Sequence, residues 1–176
     1  IHDNLASGST SYGGGVFHAA NAKALLAANT IYSNTGKIGG GVGAGLGTNI
    51  VLMSNMIYDN TATGISAVTA LGGGLSTSGV AAIWNNTFVE NNADDGGAGI
   101  YLEGATANIS NNILAFNTGN GNDGIEYDGP SPQFITGGYN NISNDTVDSV
   151  LTSLTNVVTG NPDFVNLAGR NLHINT

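Results

Sequence analysis

A four-residue phrase ending in asparagine recurs along the chain: IHDN at 1–4, IYSN at 31–34, IYDN at 57–60, FVEN at 88–91 and LAFN at 114–117. Successive copies lie 30, 26, 31 and 26 residues apart. A glycine run closed by an aliphatic residue keeps step with it, as GGGV at 13–16, GGGV at 39–42, GGGL at 72–75, GAGI at 97–100 and NDGI at 122–125. A third marker lies five residues before the first, where Asn29, Asn55, Asn86 and Asn112 precede Asn34, Asn60, Asn91 and Asn117. Between the first and second markers the linker varies, from TGKI at 35–38 to TATGISAVTAL at 61–71. Constant strand starts with elasticity confined to one loop per repeat describe coils stacked along a common axis.

Gly, Asn, Thr and β-branched residues fill each unit, and Gly in a helix costs about 1 kcal/mol against Ala, so the units read as strands. Only ANAKALLAAN at 20–29 has helical propensity. Its equivalents in the repeat, TNIVLMSN at 48–55 and VAAIWNN at 80–86, predict that it too is a strand. A period of this length with about three short strands predicts an all-β fold, a parallel β-helix (β-solenoid) of five to six coils. At about 4.8 Å per coil the rod would be roughly 25–30 Å long. Three inner stacks are expected: Val16, Val42, Leu75, Ile100 and Ile125; Leu26, Leu52, Ile83, Ile109 and Ile135; and Ile31, Ile57, Phe88 and Leu114. Both asparagine series suit this architecture, because asparagine tolerates a left-handed backbone and its amide can pair with the same residue in the next coil. The glycine before each aliphatic residue would allow a bend where a Cβ would collide.

FVEN at 88–91 and GGAGI at 96–100 carry a resemblance. Paired Phe-x-x-Asn and Gly-Gly-Ala-aliphatic motifs resemble the repeats of the chlamydial polymorphic outer-membrane proteins and the wider right-handed parallel β-helix group of bacterial surface proteins. The first is a literal match, and the second has one Gly inserted. The other copies depart, with Ile or Leu for Phe in four of five strand starts and GGG in three glycine markers. The resemblance covers residues 1–143. Beyond that the asparagine–glycine rhythm loosens, although NPDFVN at 161–166 resembles the closing phrase of many bacterial β-helix repeat proteins. Residues 144–176 read as an irregular terminal coil and cap of the same domain, with 145–154 a detour or short helix. The chain opens directly in a repeat and stops within NLHIN at 171–175, which reads as a segment of a longer protein.

Three Lys and Arg stand against twelve Asp and Glu, a net charge of −9, which excludes a phosphate-backbone partner. With no cysteine, thiol catalysis and thiolate metal sites are excluded as well. No 18-residue apolar run is present, so membrane insertion is not expected. The basic residues Lys23, Lys37 and Arg170 fall in the first, second and last coils, too far apart for a calcium-dependent lyase site. His2, His18 and His173 are scattered and read as surface residues. The sequons at Asn85, Asn108, Asn141 and Asn144 overlap the turn asparagines and read as scaffold. Thr30, Thr61, Thr87 and Thr118 do not suggest the flat threonine ranks of an ice-binding face.

One dense acidic patch remains. Registering Ile100 on Ile125 sets Glu103 beside Asp128 and Tyr101 beside Glu126, with Asp94, Asp95 and Asp123 in the loops upstream. Alternation directs Tyr101, Glu103, Glu126 and Asp128 outward, which favours a solvated acidic face. The same oxygens, with those of Asp94, Asp95 and Asp123, are weak candidates for calcium, and a carboxylate pair is also what glycoside hydrolysis needs. No catalytic residue and no cofactor is assigned. The functional expectation is a non-enzymatic, extracellular or cell-surface β-solenoid with a structural or adhesive role, able to self-associate end to end or with the rest of a longer chain. The alternative is a carbohydrate-active β-helix enzyme or polysaccharide-binding module, with surface glycans as partners and a groove along Tyr101, Glu103, Glu126 and Asp128.

Overall fold

The computed structural model describes residues 1–8, 11–64, 69–130, 135–169 and 171–174, without the His173 side chain. Among these the chain winds as a parallel β-solenoid of about five turns, with no helix and hence none long enough to cross a membrane. The first full coil runs through strands Val16–His18, Lys23–Ala27, Thr30–Tyr32 and Thr35–Gly36. The second repeats this as Val42–Ala44, Asn49–Met53, Met56–Tyr58 and Thr61–Ala62. Stacking the coils builds parallel sheets of five, six, five and four strands, here called the first to fourth. Within residues 20–29 Lys23–Ala27 forms a strand despite the helical composition, because it is paired along its whole length with Asn49–Met53.

The first inner stack is observed as expected, Val16 on Val42, Leu75, Ile100 and Ile125. The third is likewise observed and gains Ile142 above Leu114. In the second, Leu26, Leu52, Ile83 and Ile109 are in register, but Ile109 meets Gly137 and Ile135 sits on Ala107. A Cβ on Gly137 would lie 1.9 Å from the Ile109 carbonyl oxygen, so the close approach of these backbones demands glycine there. Ile135 is fully buried in the neighbouring stack. Thr61 and Thr118 do share a rank with Thr35 and Asn92 in the fourth sheet, while Thr30 and Thr87 share another with Met56 and Ile113.

Both asparagine series form continuous ladders. In one, each rung's backbone N–H and Nδ2 donate to the Oδ1 of the next, from Asn29 through Asn55, Asn86 and Asn112 to Asn140, at 2.9–3.1 Å. The other runs from Asn4 through Asn34, Asn60, Asn91 and Asn117, and ends at Asp145. The left-handed backbone expected at these asparagines sits one residue earlier. Asp3, Ser33, Asp59, Glu90, Phe116 and Asn144 precede one ladder, and Ala28, Ser54, Asn85, Asn111 and Tyr139 the other, all with φ of 50–59°. Hydrogen bonding between coils, not tolerance of a left-handed turn, therefore explains the ladder residue itself. The glycine before the aliphatic residue is indeed a place where a Cβ would collide, as at Gly41, where it would stand 2.7 Å from the Gly74 carbonyl oxygen, but the left-handed bend lies two residues earlier, at Gly39 with φ +74°.

Residues 145–154 are neither helix nor excursion. Val147 bridges Ile125, Leu151 joins the core and Leu154–Thr155 pairs with Gly137–Gly138, so the chain begins a further coil. After it Phe164–Asn166 and Asn171–Ile174 form an antiparallel pair. Leu172 from this hairpin packs with Tyr58, Val89 and Ala115 on the outer side of the third sheet, which buries Val89 and Ala115 completely. The segment expected to be a last irregular coil is thus partly a cover laid over the flank. Arg170, expected in the last coil, and the middle of the 61–71 linker, residues 65–68, lie outside the described residues.

Candidate functional site

Each coil turns between the first and second sheets, and these turns stack into one flank of the rod. A groove of about 680 Å³ runs along them. Tyr12, Phe17 and Ala20 line it from the first coil, Gly45 and Leu46 from the second and Ser78 from the third. Glu103 and Gly104 follow from the fourth, and Asp128, Gly129 and Pro130 from the fifth. Five coils at about 4.8 Å spacing give it a length of roughly 19 Å.

Its two ends differ in chemistry. Phe17 points outward because Val16 and His18 on either side face the core, and its ring lies 5.5 Å from that of Tyr12 at 32°. Phe17 remains 48% exposed and Leu46 74%, which makes this end an open apolar shelf. At the other end the pairing of Ile100–Glu103 with Ile125–Asp128 sets Glu103 directly beside Asp128, as the spacing predicted, and both are exposed. Gly104, with φ +57°, turns the chain immediately after Glu103. Glu103 Oε2 accepts a hydrogen bond from Ser78 Oγ at 2.7 Å, and Asp128 Oδ2 accepts one from Tyr101 Oη at 3.2 Å. No basic side chain lines the groove among the described residues. Two like charges one strand apart therefore face solvent with hydroxyl donors as their partners.

The rest of the acidic patch is dispersed. Tyr101 points outward but is only 5% exposed, which corrects the expectation of a solvated ring. Burial first, then the adjoining Asp128 carboxylate, push its phenol well above the ordinary range, so the hydroxyl stays a donor. Glu126 Oε2 accepts from the backbone N–H of Gly97 and of Asn122, at 3.1 and 3.2 Å, and thereby ties two loops together. Asp94 holds Thr63 Oγ1 and the Gly64 N–H at 2.9 Å each, and Asp95 accepts from the Ala70 N–H. Asp123 lies over Thr146, whose hydroxyl accepts from its N–H. The six calcium candidates thus separate into a groove pair, Glu103 and Asp128, three loop residues, Asp94, Asp95 and Asp123, and the strand residue Glu126. Among the described residues no group of three or more acidic or histidine side chains converges on one point.

His2 stacks on Tyr32 with ring centroids 4.7 Å apart and pairs with Asp3. His18, expected on the surface, faces inward on Ala44. Lys37 is buried. Sequence reasoning missed the apolar half of the groove because Tyr12 and Phe17 are separated by a glycine marker and Leu46 lies a full coil away. Two signals were legible: GGGVF places an aromatic at an outward position, and GLG at 45–47 puts a leucine in a turn. Comparison of the chain with protein-family models, curated proteins and solved structures finds no match in any of the three, so the chain is described by its fold, a parallel β-solenoid.

Proposed function

We propose that this chain is a non-enzymatic, structural and adhesive β-solenoid of an extracellular or cell surface, and that the lateral groove is the contact surface, with a neutral glycan as its occupant. The observation that carries this reading is the pairing, within one continuous groove, of an exposed aromatic shelf with adjacent carboxylates and no basic residue. The Phe17 face matches the apolar face of a sugar ring, and Glu103 and Asp128 accept hydrogen bonds from sugar hydroxyls. A net charge of −9 and this lining disfavour uronate or sulfated chains. The resemblance of FVEN and GGAGI to bacterial surface β-helix repeats, including those of chlamydial polymorphic outer-membrane proteins, supports the location. Titration with neutral, amino and uronic oligosaccharides, followed by amide chemical shifts, tests it. Neutral chains are expected to shift groove residues, with Phe17→Ala and Glu103→Gln each weakening binding roughly ten-fold, about 1.4 kcal/mol. Absence of binding by all three classes would overturn it.

A second reading rests on the register of Glu103 beside Asp128, since two carboxylates across a sugar chain are the machinery of a glycoside hydrolase. Turnover of a polysaccharide that is lost in both Glu103→Gln and Asp128→Asn, at unchanged melting temperature, would replace the binding reading with this one.

A further inference from the structure

The two ladders end differently. One finishes in Asn140, whose Nδ2 donates back to the Ile109 carbonyl at 2.9 Å, as Asn112 does to Ile83. The other finishes in Asp145, which takes the Asn117 N–H on Oδ1 at 2.9 Å and the Asn117 amide on Oδ2. In that second ladder Asn60, Asn91 and Asn117 also donate back, to the carbonyls of Ile31, Ile57 and Phe88. The equivalent acceptor for residue 145 is the Leu114 carbonyl. A carboxylate has no hydrogen to give it, and a neutral carboxyl has one.

We propose that Asp145 is a proton-operated latch on the last coils: as a neutral carboxyl it completes the asparagine ladder and holds residues 141–158 to the rod, and as a carboxylate it loosens them. What it holds is substantial. Gly124 and Ile125 donate to the Thr146 carbonyl at 2.9 and 3.1 Å, Asp148 donates to the Ile125 carbonyl at 2.9 Å, and Ile142 donates to the Val158 carbonyl at 2.8 Å. The titratable group facing Asp145 is Asp123, from the loop before Ile125–Asp128. The segment ending at Asn117 offers only uncharged donors, the Asn117 amide and the Phe116 N–H. Burial is the main cause that raises the Asp145 carboxyl, to about 7, with the Asp123 charge adding to it against the pull of the Asn117 hydrogen bonds. That value lies above the ordinary carboxylate value of 3.8, so the folded state binds the proton more tightly. Stabilisation is therefore complete below about pH 4 and is lost as pH rises through about 7.

Native-state hydrogen exchange, corrected for intrinsic rates, reads this directly. Between about pH 5.5 and about pH 8.5, opening at the Ile142 and Asp148 amides should rise roughly thirty-fold. Asp145→Asn should keep these amides closed at both pH values, Asp145→Ala should open them at both, and Asp123→Asn should move the midpoint to lower pH. Equal protection of the wild-type amides at the two pH values, or a pH dependence that survives in Asp145→Asn, would overturn the latch.

Discussion

On the ladder flank coil after coil supplies the same amide, buried at Asn34, Asn60, Asn91 and Asn117 until Asp145 takes the last rung, whereas along the groove the stacked positions supply Ala20, Leu46, Ser78, Glu103 and Asp128. The difference follows from what each position must satisfy. A ladder amide is enclosed by the coils above and below and is the acceptor and donor for both, so any other side chain leaves partners unpaired. A groove position faces water on one side, and its backbone is already paired within the sheets. Identity from coil to coil thus marks scaffold, and variation on an unchanged backbone marks the surface free to acquire a ligand.

Substitutions on the ladder should be the most damaging. Asn91 is fully buried, donates to Asn117 and Ile57, and accepts twice from Asn60. Asn91→Ala should cost roughly 3–5 kcal/mol in denaturant unfolding, because several buried groups lose partners at about 1–3 kcal/mol each. Phe88→Ala, which empties a fully buried position beside that rung, should cost about 3–5 kcal/mol by the same measurement. Gly39→Ala meets the Val42 carbonyl in a left-handed turn and should cost about 1–3 kcal/mol. In the opposite direction, Ala28 has φ +55°, so Ala28→Gly should raise stability by up to about 1 kcal/mol. The smallest effect belongs to the groove. Leu46→Ser should leave stability within about 0.5 kcal/mol while weakening glycan binding, and a large loss of stability there would erase the distinction between the two flanks.

The repeat, the strand within residues 20–29 and the placement of Glu103 beside Asp128 were legible in the sequence. All depend on one coil lying in register over the next, which a constant spacing of markers encodes. The Ile135 shift was not legible, since Ile135 and Gly137 point to the same side and alternation cannot tell them apart. Nor was the position of the left-handed turn. Asparagine is favoured both for that backbone and for ladder hydrogen bonds, and the sequence does not say which reason applies at which residue. Asp145 was hidden for a related reason: an aspartate in a loosened stretch reads as surface charge until the coil below presents Asn117 to it.

Periodicity and the burial of apolar residues within each turn already specify that the chain coils, how many residues each coil takes and which side chains fill its axis. It takes the folded coils to bring Phe17, Leu46, Glu103 and Asp128 into one groove, to lay the terminal hairpin over the third sheet and to end one ladder in an acid. Those features arise between residues from different coils, where side-chain direction and burial are set by neighbours remote in the chain and no local pattern records them.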